Sequence, residues 1–299
     1  MNIGPSSHLS DPDRGALAYE ANSSDPAVAR VMVTGTLLTV EALSRGIADV
    51  TVTARDDRSA EVRQVVEVLG CVRVPDGALH WWTGDGTGAD IVGGLDVTLM
   101  NGADYAKGHV DSNAEEPFSF GGAFSFDGVD AIGRLPDAPI LNPAGPFSVM
   151  VRAKARPASV HSGASIAKGH PWAESWVLDT HNGLWRRFIR DRNLRDRRIH
   201  GPRLVENEWT HLAMTWDGGR LAFYVDAAEQ GTRSVGSIHV TDAFAGIGAR
   251  SEEGFEDDEL APEFTGEIDE VMFFGRALDP AEIRAVYETT FGLCRLPAG

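Results

Sequence analysis

The run Gly266-Glu267-Ile268-Asp269-Glu270-Val271-Met272-Phe273-Phe274 continues through Gly275-Arg276-Ala277-Leu278-Asp279-Pro280-Ala281-Glu282-Ile283, and it constrains the fold more than any other stretch. It reads as a buried strand running into a sharply started helix. Glu267, Asp269, Val271 and Phe273 alternate with Ile268, Glu270, Met272 and Phe274, so a period of two puts two acids on one face and leaves the far end apolar on both faces. The helix start is well signalled: Asp279 can cap it, Pro280 suits its first position, Glu282 completes a capping box, and Leu278 can staple against Ile283. The stretch is expected to be a closing strand with the capped helix docked behind it.

Short β-rich runs surround this stretch. Toward the C-terminal end the candidates include Leu79 to Thr83, Ala123 to Asp127, Phe147 to Ala155, Trp209 to Trp216, Arg220 to Val225 and Phe264 to Phe274. Asp217-Gly218 between two of them predicts a two-residue type I′ hairpin, which needs positive φ at both positions. Many short strands with almost no helical periodicity argue for a large double-sheet jelly roll. Toward the N-terminus, Val28 to Val33, Leu37 to Val40, Ile47 to Ala54 and Val62 to Val68 predict a smaller antiparallel sandwich. There Val50, Val52 and Ala54 face a core and Thr51 and Thr53 face water. The texture changes at Cys71, with Val74-Pro75-Asp76-Gly77 as a linker, which divides the 299 residues into 1–70 and 71–299.

An apolar fraction of 42% suits a sizeable core, and a formal charge of −17 disfavours nucleic acid and anionic lipid while making cations the natural small partners. No run of about 18 apolar residues exists, so no membrane insertion is expected. The N-terminus lacks the basic and apolar regions of a signal peptide, which fits a fragment of a longer protein. With only Cys71 and Cys294, a zinc cluster or redox CxxC site is excluded. One long-range disulfide and two buried thiols both stay open.

Leu9-Ser10-Asp11-Pro12-Asp13, Ser24-Asp25-Pro26-Ala27-Val28-Ala29 and Gly46-Ile47-Ala48-Asp49-Val50-Thr51-Val52-Thr53 together resemble bacterial immunoglobulin-like or cadherin-like repeats, with the leading strand missing. That makes residues 1–70 an incomplete immunoglobulin-like β-sandwich. Asp11 and Asp13 read as turn residues rather than calcium ligands.

A second resemblance rests on Trp81-Trp82-Thr83-Gly84-Asp85-Gly86, Phe124-Ser125-Phe126-Asp127-Gly128-Val129-Asp130, Trp209-Thr210-His211-Leu212-Ala213-Met214-Thr215-Trp216-Asp217-Gly218, Tyr224-Val225-Asp226, and Gly266 to Val271 with Arg276-Ala277-Leu278. In this order they resemble the laminin-G-like, concanavalin A-like jelly-roll family. The resemblance implies an all-β fold of two curved antiparallel sheets whose first and last strands are adjacent, bringing Cys71 and Cys294 close enough to pair. It implies an extracellular or cell-surface setting. It also implies a structural calcium ion held by Asp127 and Asp269 with backbone carbonyls, and Asp90 or Asp130 nearby. Where the family commonly has a second acid after Asp130, this chain has Ala131.

Catalytic patterns are weak. Gly84, Gly86 and Ala89 satisfy G-x-G-x-x-G/A formally, but no βαβ unit surrounds them to bring a helix N-terminus to a pyrophosphate. Glycosidases of this sandwich use alternating carboxylates in E-x-D-x-E or E-x-D-x-x-E. Glu267 and Asp269 supply half, while positions 271 and 272 hold Val271 and Met272 and alternation turns Glu270 to the opposite face. His211 is expected to be an ordinary strand residue.

Two charge clusters remain. Arg186, Arg187, Arg190, Arg192, Arg195, Arg197, Arg198 and Arg203 are interleaved with Asp191 and Asp196, which reads as a solvated, ion-paired hairpin with an anionic-glycan site as the alternative. Glu252, Glu253, Glu256, Asp257, Asp258 and Glu259 read as a solvated loop. Trp172, Trp176 and Trp185 are candidates to stack on sugar rings, with Arg187 and Arg190 beside them. The expected function is non-catalytic recognition, a carbohydrate or glycoconjugate module with structural calcium. The alternatives are an adhesive module whose partner is a surface protein and, behind it, a degenerate glycoside hydrolase.

Overall fold

The computed structural model describes residues 2–3, 17–42, 46–55, 61–70, 76–109, 122–142, 144–157, 162–171, 173–251 and 263–288. Cys71, Cys294, Asp11, Asp13, Trp172 and the acidic stretch from Glu252 to Glu259 lie outside them. The described residues form two compact units, 2–70 and 76–288.

In the first unit, β1 (Asn2–Ile3), β2 (Ala18–Ser23), β3 (Ala29–Thr34), β4 (Leu37–Ala42), β5 (Gly46–Arg55) and β6 (Glu61–Gly70) form two three-stranded antiparallel sheets, ordered β1-β4-β3 and β2-β5-β6. Val28, Ala29, Leu38, Val40, Ala48, Val50 and Val52 make its core. The alternation expected in β5 holds: Val50, Val52 and Ala54 are buried, and Thr51 and Thr53 are partly exposed. Strand β2 lacks the β-branched and aromatic run that betrays its partners, so its pattern was not legible.

The second unit contains β7 (Ala78–Trp82), β8 (Thr98–Met100), β9 (Asp104–Lys107), β10 (Gly122–Asp127), β11 (Ile132–Leu135), β12 (Phe147–Ala155), β13 (Ser162–Lys168), β14 (Trp176–His181), β15 (Leu184–Arg190), β16 (Asp196–Arg203), β17 (Trp209–Trp216), β18 (Arg220–Val225), β19 (Ala228–Ser234), β20 (Ala245–Ile247), β21 (Thr265–Phe274) and helix α1 (Pro280–Glu288). Eight strands form one antiparallel sheet, β19-β18-β17-β12-β21-β10-β9 with β7 also on β21, and seven form the other, β16-β15-β14-β13-β20-β11-β8. The expected double-sheet jelly roll is what the chain adopts. Strand β7, the first of this unit, pairs with β21, the last, as the resemblance implied.

One contiguous core lies between the sheets. Phe124, Phe147, Val149, Val151, Leu212, Met214, Phe223, Ile268, Val271 and Phe273 come from the larger sheet, and Ile166, Trp176, Leu178, Trp185, Ile189 and Ile247 from the smaller. Each such large apolar side chain contributes about 1.5–3 kcal/mol of burial free energy, which is why strands this short hold together only as two layers.

Helix α1 lies against the other face of the larger sheet, at β12 and β17, with Ile283 and Val286 buried. Its cap is the predicted box: Asp279 Oδ1 accepts from the N–H of Ala281 (2.8 Å) and Glu282 (2.9 Å), and Glu282 Oε2 accepts from the N–H of Asp279 (2.9 Å). Ser148 on β12 ties down the chain leading into it, donating to the Arg276 carbonyl (2.9 Å) and accepting from the Leu278 N–H (2.9 Å).

Two expectations are corrected. The β17–β18 connection is not a two-residue type I′ turn: Asp217, Gly218 and Gly219 all lie between the strands, and of Asp217 and Gly218 only Gly218 has positive φ (99°). Asp217 Oδ1 organises the turn by accepting from the Gly219 and Arg220 N–H groups at 2.8 and 2.6 Å. Positive φ at two successive turn residues occurs instead at Asp226-Ala227 (48° and 59°) and at Asn182-Gly183 (52° and 73°).

The alternation along β21 is also interrupted. Arg152 pairs with Asp269 and Met150 with Met272, so two steps on β12 meet three on β21, and Glu270 sits at φ 52° in the resulting bulge. Ile268, Val271 and Phe273 therefore share the core face, while Asp269, Glu270 and Met272 turn the other way.

Candidate functional site

The smaller sheet ends in the β15–β16 hairpin. On β15, Trp185 and Ile189 point into the core, so alternation places Arg187 on that same inner face and Arg186, Phe188 and Arg190 on the outer one. The register pairs Arg187 with Ile199 and Ile189 with Arg197, which puts Arg197 on the inner side too. From the larger sheet, Arg233 on β19 pairs with the core residue Leu221. Three strands from two sheets thus bring Arg187, Arg197 and Arg233 to one edge of the sandwich. An open groove there is lined by Arg190, Leu194, Asp196, Arg197, Arg198 and Arg233.

Most of these arginines have carboxylate partners. Arg190 Nε meets Asp196 (3.0 Å) and its Nη2 meets Glu174 (3.2 Å), Arg197 meets Asp191 (2.7 Å), and Arg198 meets Asp196. Arg233 donates to the Thr232 carbonyl (3.1 Å) and has no carboxylate partner among the described residues. Arg187 is different in kind. It is fully buried, its Nη1 donates to the Arg197 carbonyl, and its Nε and Nη2 have no hydrogen-bond partner among the described residues. Burial, reinforced by the Arg233 charge, pulls its pKa down from 12.5 to about 9.

The expectation of a solvated arginine hairpin therefore fails for Arg186, Arg187 and Arg190, which are all buried. On the outer face Arg186 meets Asp179 through Nε (2.9 Å) and Nη2 (2.5 Å), and Arg250 bridges Asp179 (2.6 Å) to Glu174 (3.1 Å). Arg186 and Arg250 also lie over the Phe188 ring at 5.2 and 6.0 Å. Glu174, Asp179 and Arg250 carried no sequence signal, because Arg250 lies 76 residues from Glu174 and 71 from Asp179 and reaches them from a loop only in the folded chain.

Trp176 and Trp185 do not form a stacking platform. Both are core residues, and Trp176 packs against Phe147 and Phe273 while its Nε1 donates to the Leu141 carbonyl (3.1 Å).

The four aspartates expected around calcium are not gathered. Asp127 is exposed at the end of β10, its Oδ1 accepting from the Val129 N–H (2.9 Å), and Asp130 is exposed in the turn that follows. Asp127 pairs with Thr265, so Asp269 lies four residues further along β21, about 13 Å at strand rise. Asp90 is buried as a loop organiser: it meets His80 Nδ1 (2.6 Å) and accepts from the N–H groups of Trp81, Val92, Gly93 and Leu95 at 2.9–3.1 Å. Although burial opposes it, these hydrogen bonds, His80 first, hold its pKa at about 2. Among the described residues, no group of three or more His, Cys, Asp or Glu is arranged to hold a metal ion.

The acids of β21 are engaged and buried. Glu267 meets Lys154 (3.3 Å) and Arg156, and Glu270 accepts from the Trp81 indole N–H. Asp269 accepts from the His109 N–H (2.8 Å), and burial pushes its pKa up to about 7, with the Asp85 charge adding to the rise. Nearby, Arg152 donates to the Tyr287 carbonyl of α1 (2.5 Å), and His211 packs on the Tyr287 ring at 5.7 Å. Burial, with the Arg152 and His109 charges, lowers the His211 pKa to about 3, so it is a neutral packed residue.

A family model described as the concanavalin A-like lectin/glucanases superfamily matches residues 127–284, just over half of the 299 residues. A search of curated proteins returned no match. Among solved structures, domain 4 of AbnA, a GH43 extracellular arabinanase from Geobacillus stearothermophilus in complex with arabinotriose, superposes with a TM-score of 0.50 at 18% identity, covering 71% of this chain and 98% of that one. The botulinum neurotoxin serotype D ligand binding domain in complex with N-acetylneuraminic acid does so with a TM-score of 0.52 at 15% identity, covering 72% of this chain and 51% of that one. The chain thus spans about half the length of the toxin domain. At these identities the likeness is one of fold.

Proposed function

The chain belongs to the concanavalin A-like lectin/glucanases superfamily, and from that premise we propose that it is a non-catalytic carbohydrate-binding module working at the β15–β16 and β19 groove. The observation that carries this reading is the groove's composition. Planar guanidinium forks and a carboxylate, held in place by ion pairs to one another, present fixed donors and acceptors to an open surface, as recognition of hydroxyl-rich ligands requires. Two solved relatives of this fold hold sugars, arabinotriose in one and N-acetylneuraminic acid in the other, which favours the same class here.

The reading as a binding module also draws on β21. Hydrolysis needs two carboxyl groups free to flank a glycosidic bond, whereas Glu267, Asp269 and Glu270 are each buried and each already engaged by a partner. We take residues 1–70 as a partial immunoglobulin-like repeat, supported by two three-stranded sheets around one core, and the setting as extracellular.

A glycan array tests the function, with hits confirmed by calorimetry. Arg197→Ala and Arg198→Ala should each weaken a genuine hit about ten-fold, the effect of losing about 1.4 kcal/mol. Hits indifferent to both substitutions would place recognition elsewhere. Calcium added to a chelator-stripped sample checks the ion expectation separately, and the dispersal of Asp90, Asp127, Asp130 and Asp269 predicts no rise in melting temperature.

A further inference from the structure

We propose that the groove takes a carboxylate-bearing saccharide whose acid group is received by the Nε–Nη2 edge of Arg187; this rests on the carbohydrate reading and names its ligand class. Within the same strand the chain shows what that edge is for. In Arg186 the Nε and Nη2 donors hold the two oxygens of Asp179 side by side. In Arg187, one residue along and on the opposite face, the same pair of donors has no partner among the described residues.

A guanidinium taken out of water without an anion is costly, and its planar fork matches a carboxylate bidentately. Among the described residues, the charge acting on Arg187 is that of Arg233, another cation. An incoming carboxylate would meet three positive groups, Arg187, Arg197 and Arg233, of which only Arg197 is already neutralised, by Asp191.

Arg187 is buried behind the groove rather than on its lining, so access to it requires Arg233 to move aside: Arg233 is exposed, lines the groove, acts on Arg187 through its charge, and among the described residues is bonded only to the neighbouring Thr232 carbonyl. The inner placement of Arg187 would then select charge, while the outer rim of Arg190, Asp196 and Arg198 contacts the remaining hydroxyls.

Calorimetric titration of the full chain with a galacturonate oligomer and with the matching neutral galactose oligomer tests this. The wild type should bind the acidic oligomer at least ten-fold more tightly at low salt. Arg187→Met and Arg233→Met should each abolish that preference, with the fold checked by thermal melting. Because Arg233 is exposed, Arg233→Met carries the test should Arg187→Met fail to fold. Equal binding of both oligomers by the wild type, or a preference that survives both substitutions, overturns the proposal and leaves carbohydrate binding standing. Binding of neither oligomer overturns the proposal, and if the glycan array also returns no hit, the carbohydrate reading falls with it. A rise in melting temperature in sodium acetate without saccharide binding means the edge serves a carboxylate that is not on a sugar, and overturns the proposal as well.

Discussion

Replacing Asp269 by Asn should stabilise this protein at neutral pH, although a strand acid beside an arginine looks like an ion pair to be preserved. Asp269 is 3% exposed, and its folded pKa is about 7 against 3.8 for the ordinary group. An acid whose pKa is raised on folding holds a proton in the native state that the unfolded chain has lost, so stability falls as pH rises from about 4 to 7. A gap of about 3 pH units at about 1.4 kcal/mol each gives a ceiling of ~4 kcal/mol above pH 7. His211 works in the opposite sense. Its folded pKa of about 3 lies below the ordinary 6.5, so its contribution is lost as pH falls through that window. Between about pH 4 and 6.5 the two slopes cancel in the wild type, and the pair is silent. Asp269→Asn keeps an oxygen that can accept from the His109 N–H and removes one slope. Denaturant unfolding of both proteins at half-unit pH steps should show the variant equal to wild type near pH 4 and more stable by a few kcal/mol at pH 7.5. A variant less stable than wild type at pH 7.5 would mean that an ionised Asp269 is paired by Arg152, and would refute the argument.

Asp90→Asn should cost stability at pH 7 and little below pH 2, because a pKa held at about 2 represents roughly 2–3 kcal/mol that is present above pH 4 and lost as pH falls through 2; a pH series of melting temperatures reads it. Removing the helix cap with Asp279→Ala should cost about 1 kcal/mol in denaturant unfolding, with the two N–H groups of Ala281 and Glu282 left to water. Arg187→Met should raise stability at pH 7 by up to about 5 kcal/mol, since a base lowered from 12.5 to about 9 carries its full penalty at every pH below 9. An unchanged or lower melting temperature would show that the guanidinium has a counter-ion.

Legibility in the sequence followed the range of the interaction. The strands Phe147–Ala155, Trp209–Trp216 and Arg220–Val225 and the Asp279 capping box rest on neighbours within a few residues, and each falls where alternation and cap chemistry put it. Strand β21 shows where that logic stops. Its bulge at Glu270 is imposed by pairing with β12, which lies more than a hundred residues earlier, so simple alternation groups Val271 and Phe273 with Asp269, whereas they face the core and Asp269 turns away from it. The tryptophans failed for a related reason: a ring on a strand gives the same pattern whether it faces sugar or core, and Trp176 and Trp185 face the core. In the sequence Arg187 reads, with Arg190, as a candidate ligand contact, and otherwise as one charge among eight in a cluster. Its isolation became visible only when the register set it opposite Ile199 on the inner face, while its neighbours Arg186 and Arg190 paired outward with Asp179, Asp196 and Glu174.

The groove between the β15–β16 hairpin and β19 is the centre of this account, and NMR titration tests it most directly. Backbone and arginine Nε–H resonances would be followed while a galacturonate oligomer is added to the full chain. The account predicts that the largest shifts fall on Arg187, Arg197, Arg198 and Arg233, with the Arg187 Nε–H moving downfield as it gains an acceptor. Shifts centred instead on the outer face of the larger sheet, around Asp269 and α1, with the arginine signals unmoved, would contradict it.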